Sequence, residues 1–126
     1  MPGIPETISS NGFEVPVLAT FTGLTSLPRY ESVSYNNLKP YLALFEDRIE
    51  IRVILKNTIP LAEIEYIDIR ETFATRNLQV YIKEEEDIFI ANLFKRKNLA
   101  KVLDYFAKRN IPLSNRAKAF MRKVRY

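Results

Sequence analysis

Hydrophobic residues alternate with polar residues along the middle of the chain, and this alternation constrains the fold more than any other feature. Every second residue in Ile49–Leu55 is aliphatic, and the same period of two recurs in Leu78–Ile82. Because successive side chains of a strand point to opposite faces, the pattern predicts strands that bury one face. The apolar runs Tyr41–Phe45 and Ile88–Phe94 also have the length of strands, and Asn57–Pro60 is expected to end the first alternating strand.

Three further segments are compatible with strands, and two of them contain an irregularity. Pro16 interrupts Phe13–Thr22 and is expected to make it an edge strand or an irregular segment, because proline cannot donate to a ladder. Tyr30–Tyr35 has the composition of a strand. In Leu61–Ile69 the alternation changes phase near Tyr66, which indicates either a β-bulge or a strand with both faces partly covered.

After residue 95 the apolar period changes to that of a helix. Two stripes have the spacing i, i+3, i+4, i+7, the first formed by Leu99, Val102, Leu103 and Phe106 and the second by Ala117, Phe120, Met121 and Val124. Pro112 is expected to separate the two helices, and Ser114 can cap the second. Since so short a helix is marginal alone in water, its stripe is expected to dock on its own sheet or on a second copy rather than on a membrane.

Together these elements predict one domain of the α+β class, mainly β, over residues 1–126. Its expected parts are a loose lead-in over 1–12, mostly strands over 13–94, a capping helix over 95–110 and a short basic amphipathic helix over 114–126.

The order of these elements resembles the bacterial pleckstrin-homology-like (PH-like) domains. The segments that carry the resemblance are Leu42–Glu50, Ile59–Glu65, Leu78–Lys83, Ile88–Phe94 and Leu99–Phe106. The resemblance implies a bent antiparallel sheet, or partly open barrel, of about seven strands, capped by a C-terminal helix. It also implies a binding scaffold, which self-associates in some members of the family.

One ligand of that family is not expected here. Members that hold inositol phosphates carry Lys and Arg around the first hairpin turn, whereas this chain has Glu46 and Asp47 there. Two carboxylates at that turn would repel a phosphate group, and Arg48 and Arg52 do not offset them.

The chain contains neither cysteine nor histidine, which narrows its chemistry. Disulfides, thiolate metal sites and a Ser-His relay are therefore impossible, and the commonest nitrogen ligand for zinc is absent. The sequence has no glycine-rich phosphate loop and no Ser-x-x-Lys motif. The acidic run Glu84–Asp87 is expected to be a solvated hairpin tip rather than a cation site. No catalytic residue, cofactor or metal ligand is assigned, and the chain is not expected to be an enzyme.

Charge is distributed very unevenly along the chain. Residues 1–94 hold eight Lys and Arg against fourteen Asp and Glu, a net charge of −6, whereas residues 95–126 hold eleven against one, a net charge of +10. The candidate contacts for a partner or an anionic surface are the basic residues of this C-terminal arm: Lys95, Arg96, Lys97, Lys101, Lys108, Arg109, Arg116, Lys118, Arg122, Lys123 and Arg125. A solvated helix face that complements the acidic sheet is the simpler interpretation of the same residues.

These observations favour a non-catalytic PH-like binding module that acts through protein–protein contacts, including self-association. The alternative is an electrostatic binder of an anionic membrane surface, or of nucleic acid, through the basic arm. No small-molecule substrate is identified. The protein is expected to be cytoplasmic, because no stretch approaches the roughly 20 apolar residues of a membrane span and the N-terminus lacks the pattern of a signal peptide.

Overall fold

The structure is a computed structural model that describes residues 4, 8–24, 34–36, 39–72 and 75–124. Nine strands and two helices lie within these residues. The strands are β1 (Phe13–Glu14), β2 (Val17–Leu24), β3 (Ser34–Asn36), β4 (Tyr41–Leu44), β5 (Arg48–Arg52), β6 (Lys56–Pro60), β7 (Ile64–Glu71), β8 (Arg76–Ile82) and β9 (Asp87–Leu93). A single 3-10 turn (Leu61–Glu63) precedes β7, and the helices are α1 (Arg96–Lys108) and α2 (Asn115–Lys123).

The strands form two antiparallel sheets. One has the order β1-β4-β5-β6 and the other the order β3-β2-β9-β8-β7. The α+β, mainly β class is therefore confirmed. The expected PH-like sheet of about seven strands is not confirmed: the described residues contain nine strands, in two sheets that do not close into a barrel.

Helix α1 supplies the centre of the core, as its periodicity predicts. The side chains of its apolar stripe, from Leu99 to Phe106, are 0% exposed and belong to one cluster with Ile49, Ile51 and Leu78 of the strands. The hydroxyl of buried Tyr105 donates to the backbone carbonyl of Phe45 at 2.5 Å. This bond ties α1 to the turn between β4 and β5 of the first sheet, while β8 and β9 of the second sheet are the strands nearest to the helix.

Helix α2 docks on its own domain, which confirms the favoured interpretation of its stripe. Ala117 and Phe120 are buried in the main core cluster. The segment before α2 pairs with the outer edge of β7, where Ile67 N–H donates to Pro112 O at 2.9 Å and Ser114 N–H donates to Ile67 O at 2.8 Å. The apolar stripe of α2 therefore gives no support to self-association.

The N-terminal strands differ from the sequence expectation. Pro16 lies between β1 and β2 rather than inside a strand, so Phe13–Thr22 is divided. Of the two parts, β1 is an edge strand of its sheet, whereas β2 lies between β3 and β9. In the expected strand Tyr30–Tyr35, residues 34 and 35 belong to β3, and residues 30–33 lie outside the described part of the chain.

The alternating segment Ile49–Leu55 ends earlier than its pattern predicts. Arg52 pairs with Lys56, so the three residues between them form the turn of a hairpin. Val53 is buried there, but Leu55 is 76% exposed. The expected break at Asn57–Pro60 is also wrong, because these residues belong to β6, an edge strand in which a terminal proline is tolerated.

The phase change near Tyr66 is a β-bulge. The register between β7 and β8 shifts between Ile64 and Tyr66, which keeps Ile64 and Ile67 buried on the same side. Tyr66 itself lies outside the main core, where its ring stacks on Tyr81 with centroids 4.2 Å apart. The bulge thus restores the two isoleucines to the core, whereas Tyr66 belongs to a second cluster on the other face.

Candidate functional site

The basic arm is held by structure rather than extended into solvent. Two residues separate the end of β9 from the start of helix α1 at Arg96, and the second of these, Lys95, has a backbone φ of 74°. No side chain caps this end of the helix, and its first turn contains no acidic residue. The N-terminal end of a helix carries partial positive charge. The cations Arg96 and Lys97 at this end therefore do not stabilise α1 through the helix dipole.

Helix α2 presents one of its faces to the start of α1. The Ser114 hydroxyl accepts a hydrogen bond from the backbone N–H of Ala117 at 3.0 Å and donates to Asp68 at 2.6 Å, which fixes the first turn of α2 against β7. Residues three, four and seven positions apart share a face of a helix. Arg116, Phe120 and Lys123 therefore lie along the same side of α2.

A cleft of about 220 Å³ lies where β7, α1 and α2 meet, and we call it the cationic cleft. It is lined by Ile69 and Glu71 of β7, Arg96 of α1, and Arg116, Ala119, Phe120 and Lys123 of α2. Apolar side chains from β7 and α2 contribute to its lining, and the three cations come from positions 96, 116 and 123 of the chain. A ligand in the cleft would meet both an apolar surface and several positive charges.

Two of the three cations are oriented by carboxylates. Arg96 donates to both carboxylate oxygens of Glu71, at 2.7 Å and 3.3 Å, and its guanidinium lies 5.1 Å from the centre of the Phe120 ring. Arg116 Nε lies 3.5 Å from Asp68 Oδ1. The side chains of Arg96 and Arg116 are nevertheless 48% and 59% exposed, so their remaining N–H groups are accessible to a ligand.

Lys123 is the third cation of the cleft and differs from the other two. It is exposed, and among the described residues it forms no ion pair. With Glu71 and Asp68 set against three cations, the cleft carries a net charge of +1.

Several sequence-predicted candidates lie elsewhere and have structural roles. Lys108 pairs with Asp104 one turn earlier in α1 at 3.0 Å. Arg109 contacts Glu46, donates to the Tyr105 carbonyl and lies 4.2 Å from the centre of the Tyr105 ring. Of these two cations, only Arg109 complements a carboxylate from the strand region, as the simpler interpretation predicts, whereas Lys108 pairs within α1.

The remaining candidates are spread over the helical surface. Lys95 lies 5.3 Å from the centre of the Phe94 ring, and Lys97 and Arg122 are exposed. Lys101 is half-buried on α1, and Lys118 lines a separate shallow groove beside Ile111 and Met121. Arg125 lies outside the described residues.

Sequence reasoning missed the partners that complete the cleft. Glu71 and Ile69 come from β7, and nothing in the sequence associates them with residues 96 or 123. Phe120 was recognised for its apolar spacing but not as a ring beneath a guanidinium. The i, i+3, i+7 spacing of Arg116, Ala119 and Lys123 was the signal that these α2 residues share a face.

A second groove, of opposite charge, lies between β6 and the β8–β9 hairpin. It has a volume of about 230 Å³, and its acidic lining residues are Glu63, Glu85 and Asp87. Within the described part of the chain, no three or more acidic side chains are arranged to hold a metal ion. None of the described helices is long and apolar enough to cross a membrane.

Comparison of the chain with protein-family models and with curated proteins finds no match in either set.

Proposed function

We propose that this chain is a non-catalytic protein-interaction module whose cationic cleft holds an acidic segment of a partner protein. The observation that supports the proposal best is the convergence of Arg96, Arg116 and Lys123 on one concave site. These residues lie up to 27 positions apart in the sequence, so only the packing of α1 and α2 against β7 brings them together.

The shape of the cleft favours a polypeptide segment over a flat bilayer. A concave site of about 220 Å³ accommodates one or two side chains, and it combines apolar lining with charges at fixed positions. Guanidinium groups suit carboxylates because they donate in a planar fork. An acidic side chain next to an apolar one matches this lining in both charge and polarity.

We also propose that the scaffold is PH-like, in keeping with the resemblance of the sequence. Two antiparallel sheets followed by a helix that is hydrogen-bonded to the turn after β4 support this scaffold. In this proposal α1 is the capping helix, and α2 is an addition that builds the cleft.

Binding to an anionic membrane surface is the second candidate function. It is favoured by cations outside the cleft, of which Lys97, Lys118 and Arg122 are exposed. Each such residue contributes about 1 kcal/mol near an anionic bilayer. The two candidates differ in which lysines and arginines matter, and this difference can be tested.

Nucleic acid would use the same cations as a membrane surface. A site for single-stranded nucleic acid also stacks the bases on exposed aromatic rings, and the described helices have no row of such rings between the cations.

The test compares two double variants that remove the same charge. Arg116→Gln/Lys123→Gln changes the cleft, whereas Lys108→Gln/Lys118→Gln changes arm cations outside it. Binding of a hexaglutamate peptide that carries a neutral fluorophore is measured by fluorescence anisotropy at low salt. We expect the cleft variant to bind about fivefold more weakly, from roughly 0.5 kcal/mol for each exposed ion pair, and the control to bind nearly as the wild type does.

Equal weakening by both double variants would contradict the proposal, because it would mean that only net charge matters. Cosedimentation with vesicles of anionic and of neutral lipid provides the second arm. Tight vesicle binding that depends on Lys97 and Arg122, together with no binding of hexaglutamate, would support the membrane alternative instead.

A further inference from the structure

The β8–β9 hairpin ends in four consecutive carboxylates that have no partner in the described structure. Glu84, Glu85, Glu86 and Asp87 are all exposed, and none of them forms an ion pair with a described residue. The chain reverses direction at this tip. Glu84 has a backbone φ of 60°, and Glu85 N–H donates a hydrogen bond to Ile82 O at 3.3 Å. We call these four residues the acidic tip.

The acidic tip and the cationic cleft lie at opposite ends of one strand. Strand β9 runs from Asp87 to Leu93 and is followed within three residues by Arg96. Seven residues of antiparallel strand span about 20 Å, because each adds roughly 3.4 Å. An ion pair needs an approach within a few ångström, so the tip cannot enter the cleft of its own chain.

The two carboxylates that already contact the cleft, Glu71 and Asp68, come from β7, and hydrogen bonds fix both of them. Glu71 forms the two bonds to Arg96, and Asp68 accepts hydrogen bonds from Ser114 and from the backbone N–H of Ile69. Lys123 beside them forms no ion pair with a described residue. The site therefore has unsatisfied positive charge, and the tip has unsatisfied negative charge, within the same molecule.

We infer that a second copy of this chain supplies the acidic segment, so that the acidic tip of one molecule enters the cationic cleft of the next. This inference rests on the proposed function of the cleft. The tip is the exposed turn of the β8–β9 hairpin, and its charge is opposite to that of the cleft. Because two different surfaces meet, the contact is heterologous and repeats head to tail.

Such a contact is small and mainly electrostatic, so it should be weak and should depend on the salt concentration. Interfaces well below about 1,200 Å² are weak and transient. Charges exposed at the surface are also screened by salt, over roughly 10 Å at 0.1 M ionic strength. The association should consequently increase with protein concentration and disappear at high salt.

The experiment uses sedimentation velocity over a concentration series with the wild type and two complementary variants. The tip variant is Glu84→Gln/Glu85→Gln/Glu86→Gln, and the cleft variant is Arg116→Gln/Lys123→Gln. At about 50 mM salt the wild type should show a rising average mass that falls back to monomer at about 500 mM. Each variant alone should be monomeric. An equimolar mixture retains one intact tip and one intact cleft, so it should form dimers and nothing larger.

A matched acidic control separates the tip from net charge. Glu14→Gln/Asp47→Asn/Glu65→Gln removes three exposed carboxylates outside the acidic tip and its groove and should associate as the wild type does. A wild type that stays monomeric up to about millimolar concentration, a mixture that forms no dimer, or a control that dissociates like the tip variant would each overturn the inference.

The outcome separates this inference from the proposed function. If hexaglutamate binds the cleft while the wild type remains monomeric, the partner is another protein and only the self-association fails. If hexaglutamate does not bind and the cleft variant behaves as the wild type in both assays, the cleft is not a binding site and both proposals fail.

Discussion

Tyr105 is the residue that fixes α1 to the first sheet through a polar contact inside the core. Its ring is 2% exposed, and its hydroxyl donates to Phe45 O and approaches Arg48 O at 3.2 Å. Arg109 lies against the same ring and contacts Glu46 on the neighbouring turn. A buried carbonyl that loses its donor costs more than the bond itself contributed, so this hydroxyl is a sensitive point.

Tyr105→Phe should lower the free energy of unfolding by about 1–2 kcal/mol, because Phe45 O is left without its donor in the core. Urea denaturation followed by circular dichroism measures the change. Tyr41→Phe is the control: the Tyr41 hydroxyl bonds to Glu50 at the half-buried surface of β4, where water can replace the bond, so the free energy should change by less than about 0.5 kcal/mol. A smaller loss for Tyr105→Phe than for Tyr41→Phe would contradict the role given to this hydroxyl.

The pH dependence of the same variant gives a second observable. Burial raises the pKa of Tyr105 above its ordinary value of 10.0, and the nearby Arg109 opposes this only in part. The neutral phenol is therefore favoured in the folded state, so its contribution to stability is complete below pH 10 and is lost as the pH rises further. The difference in unfolding free energy between wild type and Tyr105→Phe should shrink from pH 9 to pH 11. A constant difference would contradict this account.

At the scale of elements, the hydrogen bonds of Ser114 determine where α2 lies. The hydroxyl caps the helix and bonds to Asp68, which is 7% exposed, while the backbone beside it pairs with Ile67. The cleft exists only because α2 is held in this position against β7. The stability of one cap is therefore linked to the geometry of the proposed binding site.

Ser114→Ala should lower the free energy of unfolding by about 2 kcal/mol, because it removes the cap and a bond to a carboxylate together. Hydrogen exchange of the α2 amides should accelerate more than that of α1. Ser114→Thr keeps the hydroxyl and should retain most of the stability. Equal exchange rates in the Ala and Thr variants would show that the cap does not position α2.

Two substitutions in the β5–β6 hairpin test where β5 ends, which the alternating pattern does not predict correctly. Leu55→Ala should change the free energy of unfolding by less than about 0.5 kcal/mol, because this side chain is 76% exposed in the turn. Ile51→Ala, four residues earlier in the same alternation, should cost about 2–5 kcal/mol because Ile51 is 0% exposed. Urea denaturation of both variants measures the contrast. Comparable losses would mean that the strand continues to Leu55, as the alternation alone suggests.

These elements show where sequence reasoning succeeds and where it stops. The stripe led by Leu99 was predicted correctly because helix periodicity is a local property that burial reinforces. The end of β5 was not, since it depends on the pairing of Arg52 with Lys56 across the hairpin rather than on the polarity of Leu55. Pattern alone cannot indicate which apolar residue of an alternating run occupies a turn.

The same distinction holds for the site. The cations of the arm were evident from the sequence, but the subset that forms the cleft was not. Arg96 meets Glu71 across 25 residues, and Arg109 meets Glu46 across 63. Contacts at such separations follow from the tertiary packing of α1 and α2, which no local spacing encodes.

At the scale of the whole molecule, the charges are separated by the fold as well as by the sequence. The acidic tip closes one end of the β8–β9 hairpin, and the cationic cleft lies beyond the other end of β9. Such a separation orients an approaching charged partner and makes its association depend on ionic strength.

The most direct test of the central claim is a titration of the isotope-labelled protein with hexaglutamate, followed by amide chemical shifts at low salt. The account predicts that the largest shifts cluster at Ile69, Glu71, Arg96, Ala119 and Lys123, around the cationic cleft, and that Arg116→Gln/Lys123→Gln needs about fivefold more peptide to reach them. Shifts centred instead on the groove of Lys118, or spread evenly over the lysines and arginines of the arm, would contradict it.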